Sequence, residues 1–292
     1  MFAHSIRRFA PLTLAMTTLA LAGCETMGRS GPTARGPQVA VLEEDNQGTS
    51  AVNIASLTDV IQRNPGDPSA YNTRGAAYAR LGRYGEAITD FNKAVQLDPG
   101  NAPAYANRAL AHRQTGKTDL ALADFSRAIE SDPNYGPAYI GRGNLLRAQG
   151  SFPDALQDLT AAVRLAPESA EALHARGLLY QRQGSHQQAI LDFDAAIDRN
   201  PFVAAPYVAR GQSLVAVNQL DKAIEDFNAA LNVNNRDADT WAWRGVALER
   251  QGQRAEAVES YQRAASVDPN NPLAKQGLAR VQGGGGTASR IF

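Results

Sequence analysis

One cysteine, four histidines and a recurring arginine–aspartate pair are the residues of this sequence whose types and spacing could do chemistry. Cys24 is the sole thiol among 292 residues, which excludes an intramolecular disulfide and a multi-cysteine metal site. His4, His112, His174 and His186 are scattered, and no His-Glu-x-x-His brings two of them onto one helix face as zinc ligands. Arg74, Arg108, Arg142, Arg176, Arg210 and Arg244 recur at a fixed interval, and Asp90, Asp124, Asp158, Asp192 and Asp226 follow the first five in step. A row of arginines could bind anions. A carboxylate that recurs with it predicts instead internal ion pairs, within or between neighbouring helical hairpins, that favour correct register. Gly211-Gln212-Ser213-Leu214-Val215 lacks the closing glycine of a nucleophile elbow. The Gly283–Gly286 run lies in a C-terminal tail and opens no helix that could cradle a phosphate. These residues predict no catalysis, no metal and no cofactor.

Composition narrows the field further. The chain carries 29 basic and 29 acidic side chains, and its isoelectric point is near 6.9. That balance argues against a nucleic-acid partner held by phosphate neutralisation. With 43% hydrophobic and 20% charged residues, the chain is not a disordered one. Its length would ordinarily mean about two domains, unless a repeat stretches one fold along it.

The first 23 residues stand apart. Arg7 and Arg8 precede a mostly apolar stretch from Phe9 to Ala22, followed by Leu21-Ala22-Gly23-Cys24. The stretch is too short to span a bilayer comfortably but suits the apolar region of a secretory signal. The four residues resemble the lipobox of bacterial lipoproteins: an aliphatic residue, two small ones, then cysteine. The resemblance implies that residues 1–23 are a signal peptide for the general secretory route and that Cys24 receives diacylglycerol. Glu25 stands where an aspartate favours inner-membrane retention, which implies a lipid-anchored place at the outer membrane, facing the periplasm. Residues 24–50, rich in glycine, proline, serine and charge, read as a flexible tether.

Beyond the tether the sequence repeats every 34 residues. An aromatic or leucine at Tyr71, Tyr105, Tyr139, Leu173, Tyr207 and Trp241 precedes each recurring arginine, and Gly75, Gly143, Gly177, Gly211 and Gly245 follow five of the arginines. Ala87, Ala121, Ala155, Ala189, Ala223 and Ala257 keep the same interval, as do Phe91, Phe125, Leu159, Phe193, Phe227 and Tyr261. Gly82, Gly116, Gly150, Gly184 and Gly252 fall where a first helix must stop and reverse, a left-handed cap in which Asn218 stands once. Prolines close the units, with Asn235 replacing one.

These columns resemble the tetratricopeptide repeat. The resemblance implies an all-α fold, a right-handed superhelical solenoid without strands. It places six helix-turn-helix repeats at 68–101, 102–135, 136–169, 170–203, 204–237 and 238–271. A half-repeat helix at 51–67 precedes them, a capping helix at 272–282 closes the stack, and 283–292 is a flexible tail. One repeat cannot bury its own apolar face, so the stack must be contiguous and capped.

The same resemblance implies a concave groove lined by first helices, which binds other proteins. Its apolar floor is expected at Leu110, Ile140, Leu178 and Val246, with Asn72, Asn107, Asn144, His174 and Gln212 interrupting it. Arg80, Arg83, Arg113, Lys117 and Arg147 gather in the early repeats, whereas Glu171, Asp239 and Glu249 fall later, so the groove should be charged oppositely at its two ends. His174 and His186 are expected at helix surfaces. Two families of tetratricopeptide lipoproteins fit this outline, adaptors of the new-lipoprotein-I type and pilotins for secretin and type IV pilus assembly. A third reading is the accessory subunit of an enzyme complex. All three have envelope proteins as partners.

Overall fold

The structure, a computed structural model, describes residues 47–283. Cys24, the signal peptide, the tether up to residue 46 and the tail from residue 284 lie outside the described residues. Fourteen helices and no strand make up the described chain. A leading helix α1 (Gln47–Arg63) comes first. Six hairpins follow: α2 (Pro68–Arg80) with α3 (Tyr84–Leu97), α4 (Ala102–Gln114) with α5 (Thr118–Ser131), and α6 (Gly136–Gln149) with α7 (Phe152–Leu165). Then come α8 (Ala170–Arg182) with α9 (His186–Arg199), α10 (Ala204–Ala216) with α11 (Leu220–Val233), and α12 (Ala238–Gln251) with α13 (Arg254–Val267). A closing helix α14 (Pro272–Gln282) packs on α13 and α12. Each hairpin packs on the next, so the fold is an all-α tetratricopeptide solenoid.

Local chemistry sets the helix ends. Asp67, Asn101, Ser169 and Asn271 cap first helices by accepting from the backbone N–H of Ser69, Ala104, Ala172 and Ala274. Pro68 and Pro272 begin their helices, where the missing N–H costs nothing. The reversal inside each hairpin needs a left-handed residue: the five glycines take φ between 71° and 85°, and Asn218 takes φ 61°. The leading helix begins at Gln47, four residues ahead of Ala51, inside the stretch expected to be tether.

The core is a file of single bulky side chains. Phe91, Phe125, Leu159, Phe193, Phe227 and Tyr261 are each at most 1% exposed. A Cβ placed on Gly75 would come within 2.7 Å of the Phe91 ring, and one on Gly143 within 2.8 Å of Leu159. On the other side of the file, a Cβ on Gly141 would meet the Phe125 ring at 2.2 Å, across the boundary between two repeats. Each bulky residue is thus shared between its own hairpin and the next first helix, which couples neighbours and leaves distant repeats independent.

Candidate protein-binding groove

The first helices present a continuous trough. A cavity of about 340 Å³ is walled by Ala76, Ala79, Asn107 and Leu110 on one side and by Ile140 and Asn144 on the other. A second, of about 410 Å³, continues it past Arg147, His174 and Leu178. The two share Arg113, Asn144 and Glu171, so they form one path from α2 to α8. Asn72 joins at the near end, where its Oδ1 accepts from Asn107 Nδ2 at 3.0 Å.

The structure therefore brings together Asn72, Asn107, Leu110, Arg113, Ile140, Asn144, Arg147, His174 and Leu178. The other expected groove residues line neither of these two cavities. Arg80 and Lys117 are exposed and line neither cavity. Arg83 lies over the Tyr78 ring at 4.6 Å and bonds to Glu86, so it is held on its own hairpin. Gln212 is half-buried outside both cavities. Val246, expected on the apolar floor, packs with Val215 and Tyr261 and, unlike Ile140, lines neither cavity. Tyr84 and Phe91 of α3 also line the first cavity, a contribution from second helices that a first-helix pattern does not reveal.

Charge is arranged differently from the expected two-ended groove. Glu171, a late acidic residue, sits in both cavities beside Arg113. Glu171 is exposed, but partial desolvation by the neighbouring helices raises its carboxyl pKa, and Arg113 opposes the rise. The other late carboxylates are taken up by the closing helix. Glu249 accepts from Arg280 and from Tyr261 Oη at 2.6 Å, and Asp239 accepts from Asn271 Nδ2 at 2.6 Å. The trough thus carries Arg113 and Arg147 around one exposed carboxylate, that of Glu171, and Glu249 and Asp239 are engaged elsewhere.

His174 is not a plain surface residue. It is half-buried, its ring 5.5 Å from that of Phe193, and its Nδ1 is buried without a hydrogen-bond partner among the described residues. Burial, reinforced by Arg147, pushes its pKa down to about 4, so the imidazole is neutral at physiological pH. Arg147 has an unpartnered Nε in the same place, and burial with the nearby Arg182 lowers its pKa. His186 is likewise half-buried rather than surface-exposed, with Nδ1 buried and unpartnered. Two nitrogens beside the trough, His174 Nδ1 and Arg147 Nε, are thus buried without a hydrogen-bond partner among the described residues.

Arginine and aspartate meet as the sequence predicts. In five hairpins Nε and Nη2 of the arginine grip both oxygens of the aspartate, as Arg74 does with Asp90 at 2.7 and 2.8 Å. In four of them Nη1 also reaches the preceding second helix, at Thr58, Asn92, Ser126 and Asp194. This is a structural ladder outside the trough. Among the described residues no group of three or more His, Cys, Asp or Glu could hold a metal, and no helix is long and apolar enough to cross a membrane.

Comparison with known proteins agrees with this geometry. Two family models, both described as tetratricopeptide repeat, match residues 68–101 and 102–135 and residues 140–204 and 208–272. No curated protein sequence matches the chain. Among solved structures, the APC/C hetero-tetramer Cut9–Hcn1 is similar with a TM-score of 0.72 at 20% identity, over 80% of this chain. The chain spans 46% of that protein's length. PilW, a widely conserved type IV pilus biogenesis factor, aligns with a TM-score of 0.65 at 17% identity, over 72% of this chain and 97% of its own. YrrB, a tetratricopeptide protein with an unusual peptide-binding site, aligns with a TM-score of 0.53 at 24% identity, over 64% of this chain and 96% of its own. The matched segments cover about two thirds of the sequence and fall on the hairpins that build the trough, so the chain belongs to the tetratricopeptide-repeat family.

Proposed function

We propose that this protein is a non-catalytic adaptor, tethered through lipid on Cys24 to the outer membrane of a bacterium and facing the periplasm. It captures an extended or helical segment of another envelope protein in the trough between α2 and α8. The observation that carries the reading is the trough itself: an apolar floor at Leu110, Ile140 and Leu178, with Arg113 and Arg147 over it. Apolar burial at about 25 cal/mol per Å² supplies most of the binding energy. The arginines select an acidic segment and speed its arrival. Anchoring rests on the sequence around Cys24, where several acyl chains at about 0.8 kcal/mol per buried methylene make attachment durable. Peptidoglycan-enzyme assembly is the setting we favour. Assembly of secretins for type IV pili is the second reading, supported by a likeness of fold that spans 97% of PilW.

One experiment tests both halves. A photo-crosslinker is placed at Leu110 in the full-length protein, and envelope membranes are irradiated. Recovery of a partner through an acidic segment supports the adaptor reading, and crosslinks that form only from a probe on an outer position such as Arg127 overturn it. In the same cells, Cys24→Ser should leave the membrane fraction or persist as uncleaved precursor. Wild-type protein found unlipidated in the soluble fraction overturns the anchor.

A further inference from the structure

The arginine–aspartate ladder breaks once, and an open cavity lies at the break. Ser260 stands in the sixth hairpin where the other five have aspartate. Arg244 has turned by one nitrogen in response: its Nε donates to Asn228 Oδ1 at 2.7 Å and its Nη1 to Ser260 Oγ at 2.6 Å. Nη2, which in the other hairpins holds a carboxylate oxygen, makes no hydrogen bond among the described residues. Arg244 is the one ladder arginine without an acidic partner among those residues.

The guanidinium borders a cavity of about 470 Å³ formed with Asn228, Asn232, Asn235 and Trp241. Leu231 supplies apolar wall, and Glu259 also lines the cavity, without an ion pair to Arg244. Trp241 is fixed at its edge, where Nε1 donates to Asn235 O at 2.9 Å, and its ring lies 5.8 Å from the Arg244 guanidinium carbon. Three departures from the repeat columns meet here: Ser260 for aspartate, Asn235 for proline and Trp241 for tyrosine or leucine. Together they leave a cation without an internal carboxylate, neutral amides and an aromatic wall around the cavity, whereas the corresponding cavity of the third hairpin is lined by Arg142 together with its own Asp158.

We propose that this cavity binds a monocarboxylate, which pairs with the Arg244 guanidinium from the cavity side and supplies the charge that the missing aspartate does not. A guanidinium without an ion-pair partner is matched to one carboxylate. The amides add donors without adding charge. Glu259 repels a second negative charge, so phosphate and dicarboxylates bind less well. The carboxylate comes from a peptide C-terminus or from an acidic side chain; both present the same group. This site lies on α11, α12 and α13, apart from the trough, and stands or falls independently of it.

The test is an NMR titration of the ¹⁵N-labelled full chain. The chain has two tryptophans, so Trp243→Phe assigns the indole N–H of Trp241. N-acetyl-leucine represents a terminal carboxylate and N-acetyl-aspartic acid α-amide a side-chain one; N-acetyl-leucinamide and inorganic phosphate are the controls. Saturable shifts of the Trp241 indole are expected with at least one carboxylate probe, with a dissociation constant on the order of millimolar. The better of the two identifies the source. N-acetyl-leucinamide should give none, and phosphate a weaker effect. Ser260→Asp, which returns the internal carboxylate, and Arg244→Gln should each weaken binding at least tenfold while circular dichroism stays helical. Absence of a saturable shift, phosphate binding as tightly as the carboxylates, or undiminished binding in the folded variants overturns the proposal. If Ser260→Asp fails to fold, Arg244→Gln decides alone.

Discussion

Nε and Nη2 of Arg142 hold the two carboxylate oxygens of Asp158 at 2.8 Å each, and the same guanidinium reaches back through Nη1 to Ser126 Oγ at 3.0 Å. One side chain on α6 thereby joins its own second helix to the second helix of the preceding hairpin. Asp158 is only 4% exposed, so removing its carboxylate leaves a guanidinium facing a buried space. Asp158→Ala should cost about 3 kcal/mol in urea unfolding. The double variant Arg142→Met/Asp158→Leu should recover most of that, because no charge is stranded. A double variant as unstable as Asp158→Ala would show that the pair contributes attraction and not only register.

The closeness of the hairpins gives the second expectation. Gly143 has no room for a side chain against Leu159, and Ala155 is fully buried on the facing helix. Gly143→Leu or Ala155→Leu should destabilise by about 1–3 kcal/mol through overpacking. Because coupling runs mainly to nearest neighbours, loss of the third hairpin can precede loss of the ends. Hydrogen exchange would then show protection falling first in α6 and α7. Unchanged melting and uniform exchange in both variants would contradict the register of the hairpins.

Much of this architecture was legible in the sequence because a repeat states the same local problem six times. The left-handed reversals were readable at the five glycines and even at Asn218, since asparagine tolerates that backbone region. The arginine–aspartate ladder was readable because both residues recur in step. The trough was only half readable. Glu171 and Arg113 lie on α8 and α4, two repeats apart, and only the stacking of first helices brings them together. Val246 has the residue type of a groove floor, but it joins the core cluster that runs from α10 to α14 and lines neither cavity. The early start of α1 had no signal, because Gln47 to Ser50 carries no apolar side chain to mark a buried face.

His174 predicts a pH dependence with a definite sign. Unfolded, it takes its proton near the usual 6.5; folded, burial and Arg147 delay that to about 4. Between those values the unfolded chain binds more protons, so stability falls as pH drops from about 6.5 towards 4, by at most about 3 kcal/mol. Glu171 acts in the opposite sense, since its raised pKa favours protonation in the folded chain. The difference between wild type and His174→Gln isolates the histidine. That difference in unfolding free energy should be flat above pH 7 and shrink below it; a pH-independent difference would mean that the imidazole is protonated as readily folded as unfolded.

The trough charges give the functional expectation. Arg113 is exposed beside Glu171, whereas Arg147 is half-buried with an unpartnered Nε, so the two act on different steps of capture. Arg113→Glu should slow association with the crosslinked partner and flatten its salt dependence, with a smaller change in dissociation. Arg147→Glu should raise the dissociation rate, because a buried charge that should meet the partner's carboxylate now repels it. Leu110→Ala and Ile140→Ala should each cost at least about 1 kcal/mol of binding if they are the apolar anchors. Arg127→Glu on α5 is the control: Arg127 is exposed, pairs with Glu130 at 2.9 Å and lines neither cavity. Each purified variant must first show intact helix by circular dichroism, and binding kinetics are then read at two salt concentrations. Capture that survives both arginine reversals and both truncations unchanged would exclude the trough, and the partner would have to engage another surface of the chain.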